Sequence, residues 1–156
     1  MDAITLRTAT DADTAFLQSV YASTRMEELA VTGWSDDQKQ EFCLMQFHAQ
    51  DSHYRAHFPN AEYHVIRSGN EDVGRLSIDH RNNAIHILDL AVLPDHRNKG
   101  IGSSLLRKYQ AEAEAGGHVV SIYVEKFNPA LRLYERMGFR PVQEEGVHLL
   151  MKWEPS

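Results

Sequence analysis

Residues 84 to 94, AIHILDLAVLP, constrain this chain more than any other stretch. Ile85, Ile87, Leu88, Leu90, Ala91, Val92 and Leu93 make an almost continuous apolar run, the pattern of a strand covered on both faces. Pro94 stops it, because proline has no N–H to give to a ladder. Such a strand needs layers above and below it, so the rest of the chain must supply them.

The next residues, Asp95-His96-Arg97-Asn98-Lys99-Gly100-Ile101-Gly102-Ser103, form a loop running into a helix. Ile101, Leu105, Leu106, Tyr109 and Ala113 share one helical face. Two glycines separated by one residue allow a sharp turn and a close approach of backbone to ligand. The N–H groups at a helix start lack intrahelical partners and sit at the positive end of the dipole, a setting suited to phosphate. Arg97 and Lys99 add positive charge. The spacing is not that of a P-loop. Leu105 stands where the dinucleotide fingerprint needs its third glycine.

On either side, the pattern predicts a strand over Ile4–Thr8 and a helix over Thr14–Ser23, capped by Asp11 or Asp13. Met26 to Trp34 reads as a loop. A longer helix follows, headed by Ser35 with Asp36 and Asp37 in its first turn, and runs to about Phe58. Strands are predicted over Tyr63–Arg67 and Val73–Asp79, separated by Ser68-Gly69-Asn70-Glu71. After the 102–115 helix, Gly116-Gly117 ends it and His118–Val124 is a β-branched strand. Pro129 suits the first position of a helix capped by Asn128, and Gly138 closes that helix. Phe139–Gln143 and Val147–Trp153 read as a final hairpin. The order βααβββαβαββ predicts an α/β (mixed α+β) fold: a mixed central sheet of about six to seven strands with helices on both faces. One domain over residues 1–156 is expected, since the length suffices for one sizeable core.

Two motifs carry a family resemblance. The R-x-x-G-x-G loop after an apolar strand resembles the coenzyme A pyrophosphate loop of the GNAT superfamily of N-acetyltransferases. Residues 128 to 139, NPALRLYERMGF, resemble that family's second conserved block, with Asn128, Tyr134, Gly138 and Phe139 at its characteristic places. The resemblance covers about residues 63–153 well and the first 60 in outline. It implies a GNAT-like fold and an acetyl-CoA-dependent N-acetyltransferase that passes an acetyl group directly to a primary amine in a ternary complex. It implies that Leu90, Ala91 and Val92 pair with the pantetheine arm like an added strand. Arg97, Asn98, Lys99, Gly100, Ile101, Gly102 and Ser103 would hold the pyrophosphate, with Asn128 and Tyr134 also at the cofactor. The Leu90 N–H would polarise the thioester carbonyl. Tyr134, a phenol of pKa about 10, would be the general acid for the leaving thiolate.

The base is where the chain departs from the family. Its customary glutamate position on the central strand is His86. Histidine titrates near about 6.5 and can take a proton. Asp89, a carboxylate inside an apolar strand, needs a partner or a task and is the other base candidate. Strand parity sets His86 with Leu90 and Asp89 on the opposite face. Structural hydrogen bonds and ion pairs explain such residues equally well. Trp34 reads two ways, as a core-packing aromatic and, by the resemblance, as part of the acceptor pocket. Two further readings stay open: a non-catalytic acyl-CoA-binding sensor, and an acyltransferase using another acyl-CoA.

Composition narrows the partners. A net charge of −6 and no long basic run argue against nucleic acid. No apolar run reaches the roughly 20 residues of a membrane span, and no signal peptide is visible. With one cysteine, Cys43, no internal disulfide can form, and a cytoplasmic setting is expected. His53 and His57 have the spacing of helix-borne metal ligands, but no third ligand joins them, so a solvated helix face and no metal are expected. The acceptor, a small-molecule or peptide amine, is not readable because specificity lies in loops. Exposed sheet edges are compatible with a homodimer.

Overall fold

In a computed structural model that describes residues 3–155, eleven elements follow the expected order. They are β1 Ile4–Thr8, α1 Thr14–Ala30, α2 Asp36–His57, β2 Glu62–Ser68, β3 Glu71–His80, β4 Ala84–Val92, α3 Ile101–Gly116, β5 Val119–Glu125, α4 Leu131–Arg136, β6 Arg140–Glu145 and β7 His148–Trp153. The strands form one mixed sheet in the order β1-β2-β3-β4-β5-β7-β6. The chain divides into two compact units. The first runs to Leu76 and adds Ala91–Arg97; the second comprises Ser77–Leu90 and everything from Asn98.

In the first unit, β1 and β2 pair antiparallel from Ile4↔Ser68 to Thr8↔His64. Arg7 reaches from β1 to Asp13 and Asp72, and Arg67 also bonds Asp72. The Arg7 hydrogen bond, then the Thr10 N–H, hold Asp13 down at about 2. The capping residue of α2 is Ser35, as expected. Its Oγ accepts from Gln38 N while Gln38 Oε1 accepts from Ser35 N, a reciprocal capping box. The first helix, however, is longer than its sequence pattern suggests. Met26 to Ala30, expected in a loop, continue α1. Met-Glu-Glu-Leu-Ala are strong helix formers, and Leu29 packs with Tyr21, Cys43 and Phe47 in the core between α1 and α2. Only Val31 to Ser35 remain between the helices.

The second unit places the expected α3 stripe. Ile101, Leu105, Leu106, Tyr109 and Ala113 are all buried. Gly117, in the left-handed region at φ 70°, donates to Ala113 O and Glu114 O and ends the helix. β5 pairs parallel with β4 and antiparallel with β7, which pairs antiparallel with β6. The helix expected from Pro129 begins only at Leu131. Asn128 Oδ1 accepts from Ala130 N at 2.9 Å, and Asn128 O from Leu131 N at 3.0 Å. The asparagine thus makes a local turn that delays the helix.

Gly74, in β3, sits directly against the backbone of β4. A Cβ there would lie 2.3 Å from Ala91 O and 3.1 Å from Val92 Cα. Neither atom is a flexible side-chain end, so a larger residue must push β4 aside. Gly74→Ala is expected to cost about 1–3 kcal/mol, the usual penalty of overpacking, measured as a lower urea midpoint at unchanged slope. An unchanged midpoint would mean that the two strands part freely.

Candidate active site

The site grows from a ladder that stops. β4 and β5 are in register from Ala84↔Val119 to Ile87↔Ile122. Beyond that, β5 continues on β7 alone through Glu125↔His148, while β4 runs on through Leu88, Asp89 and Leu90. The second unit therefore holds an opening between two strands of one sheet. Peptide groups at such an opening can take an extended ligand as a further strand.

At the far end of the loop, Asn98 and Gly100 have φ of 62° and 80°. These left-handed residues turn the chain into α3, and Gly100 accepts the first helical bond, from Ser104 N at 3.0 Å. No side chain caps the helix, so the N–H groups of Ile101, Gly102 and Ser103 point out of its positive end. This fits a phosphate group. Gly102 is packed for another reason. A Cβ on it would meet Leu133 Cδ2 of α4 at 3.0 Å, so α3 and α4 touch here and a side chain would need Leu133 to shift.

α4 carries Tyr134, which is 3% exposed and packs edge to face on Phe139, ring centres 5.8 Å apart. Burial, then the nearby Asp89 carboxylate, push the phenol well above its ordinary value. Tyr134 is therefore a neutral O–H donor at any physiological pH. Asp89 and Tyr134 are thus neighbours, while His86 lies on the other face of β4, as strand parity requires.

His86 is 1% exposed. Its Nδ1 shares a 2.7 Å hydrogen bond with Ser121 Oγ of β5, and its ring meets Tyr123 edge on. Burial, then the charge of Arg81, lower it to about 4, with Asp79 acting the other way. It is neutral near pH 7 and holds a proton weakly. A hollow of about 300 Å³ opens above it, with Arg81, Ser121, Tyr123 and Lys152 in its wall.

Lys99 is exposed in the loop before α3, and Arg97 and Trp34 lie in the first unit. Arg97 Nε donates to Val92 O at 2.9 Å and its guanidinium also reaches Ser23 O. Trp34 is 40% exposed and packs edge to face on Phe42, ring centres 5.3 Å apart. Outside the site, the His53 and His57 rings stack at 4.1 Å and His57 Nδ1 bonds His53 O. Sequence reasoning missed Ser121 and Gly74. Gly74 could have been found, since glycine inside a strand pattern marks a close approach of backbone. Ser121 had no local signal, because its partner lies on another strand.

A family model for the acetyltransferase (GNAT) domain matches residues 59–141, more than half of the sequence. The chain belongs to the GNAT acetyltransferase family. No protein of curated function matches it. Solved structures agree on the fold. The PaiA N-acetyltransferase of Thermoplasma acidophilum, crystallised with coenzyme A, has a TM-score of 0.71 at 16% identity, covering 97% of this chain and 99% of that one. An acetyltransferase of Thermus thermophilus scores 0.71 at 20% identity, with 99% of each chain covered. The ribosomal-protein-S18-alanine N-acetyltransferase of Escherichia coli scores 0.65 at 16% identity, covering 99% of this chain and 95% of that one.

The state of His86 makes stability depend on pH. The unfolded chain protonates it near about 6.5, the folded protein only near about 4, so protons favour unfolding. The contribution is complete above the unfolded value and fades as pH falls through the folded one. Between pH 7 and 4.5 the wild type should lose roughly 2 kcal/mol more than His86→Asn, read by urea unfolding. Equal losses would mean that His86 is already protonated in the fold.

Proposed function

We propose that the chain is one N-acetyltransferase domain over residues 1–156 that moves an acetyl group from acetyl-CoA directly to a primary amine in a ternary complex. The observation that carries this reading is the neutral, buried Tyr134 beside Asp89, on a helix packed against the uncapped start of α3. The reading rests on the second unit. The N–H groups of Ile101, Gly102 and Ser103 would hold the pyrophosphate, with Asn98 and Lys99 beside them. Leu90 would offer backbone to the pantetheine arm, and its N–H to the thioester oxygen. Bound acetyl-CoA supplies the activated acetyl thioester.

Tyr134 would hold its proton at Oη and aim it at the leaving sulfur. A thiol ionises near about 8.5, well below this phenol. The phenol therefore stabilises the departing thiolate chiefly as a hydrogen-bond donor and keeps its own proton until another donor can replace it. Asp89 opposes ionisation of Tyr134, which is a positioning role. That leaves His86 as the group facing the acceptor side. Its affinity for protons lies about six units below that of an alkyl amine at about 10.4. We assign it to hydrogen bonding, with the amine losing its proton to solvent before it binds. The lone thiol Cys43 suits a reducing cytoplasm. The burial of His86 also favours a second reading, a non-catalytic acyl-CoA sensor, because the family's usual carboxylate base is missing there.

Thiol release from acetyl-CoA over a panel of amines and amino-terminal peptides separates the two. Amine-dependent release supports the enzyme. No release with any acceptor, alongside acetyl-CoA binding by calorimetry, supports the sensor. Tyr134→Phe should lower turnover by roughly a hundredfold or more and leave the acetyl-CoA dissociation constant within about twofold. Unchanged turnover would remove Tyr134 from the chemistry. The rate at low amine concentration should climb about tenfold per pH unit toward the acceptor's own pKa, in the wild type and in His86→Asn alike. A plateau lost in the variant would restore His86 as base.

A further inference from the structure

The outer strands of the second unit display a face whose charge is graded along the strands. Register decides which side chains share it, since paired residues project to the same side. Ser121 stands opposite Lys152, and Lys152 opposite Arg140. Two residues along, Tyr123 stands opposite Leu150. Two further, Glu125 stands opposite His148, and His148 opposite Glu145. Gln143 stands opposite Leu150 in the middle row. The face therefore runs from Lys152 and Arg140 at one end, through Tyr123, Leu150 and Gln143, to Glu125, His148 and Glu145 at the other. The outer rows lie about 13 Å apart. Tyr123 is 43% exposed and every residue of β6 is exposed, while Ser121 is buried and Glu125, Leu150 and Lys152 are half-buried, so the face opens to solvent chiefly along β6. Among the described residues, neither Arg140 nor Lys152 takes part in an ion pair.

Such a gradient is self-complementary. Consider a two-fold axis between two facing copies, lying across the strands along the Tyr123–Leu150 row. It sets β6 on β6 and reverses the strand direction. Arg140 of each copy then meets Glu145 of the other, and the Tyr123 and Leu150 side chains of both copies meet in the middle. A face of single charge could not oppose itself in this way. The edge of β6 is less suited to pairing. Pro141 lacks an N–H there, and the register slips between Pro141 and Gln143. We infer that the chain forms an isologous homodimer through the faces of β5, β7 and β6, with Arg140 of each copy on Glu145 of the other, Lys152 on His148 and Ser121 on Glu125. In it, the acidic row of the second copy roofs the hollow above His86, which lies at the basic end of the face. The inference does not depend on the proposed chemistry.

Sedimentation of the full chain at micromolar concentration tests it. The wild type should be a dimer whose dissociation constant rises with salt. Arg140→Glu sets carboxylate on carboxylate and should raise that constant by about tenfold or more. Adding Glu145→Arg in the same chain exchanges the two signs and should restore the dimer. Thermal melts of both variants should show the wild-type fold, since both positions are exposed. A monomeric wild type would overturn the inference. So would a dimer indifferent to Arg140→Glu, or a doubly exchanged variant that stays monomeric.

Discussion

The structure depends on one interrupted pairing. Two parallel strands share four residues of ladder and then separate, and the candidate site of the second unit is built around that separation. A continuous ladder would satisfy every backbone group and leave nothing for a ligand to complete. A wider gap would strand polar groups at a high cost in desolvation. The chain ends the ladder where Ile87 and Ile122 still anchor the core, while β7 stays paired along the other edge of β5 as far as Glu125.

The two faces of β4 do different work. On one, Asp89 lies near Tyr134 and helps keep its phenol protonated. On the other, a histidine is buried as a neutral ring at the position where the family resemblance leads one to expect a glutamate. Burying an imidazole beside a serine costs less than burying a charged carboxylate, which explains how the substitution is tolerated. In the proposed transfer, such a ring leaves the proton of the amine to solvent.

Much of this was legible in the sequence, and unevenly. The apolar run of Ile85–Leu93, the stripe of α3 and the Ser35 cap each arise from neighbours in sequence, and each appears in the structure where its pattern lies. The burial of His86 and the shifted state of Tyr134 arise from strands and helices far apart in sequence, so no local pattern encodes them. The two misjudged boundaries share a cause. Leu29 is drawn into helix by Tyr21 and Phe47, and Asn128 spends its side chain on Ala130 N. In both cases a contact outweighed the punctuation that flanking residues suggested.

Gly102 joins the helix that begins the phosphate loop to the helix that carries the phenol, with Leu133 at van der Waals distance where a side chain would otherwise stand. The two blocks of sequence that define the family are therefore one mechanical part. Drift in either must be answered in the other. A lineage that enlarges residue 102 has to re-seat residue 133, or else the start of α3 and the Tyr134 helix shift together.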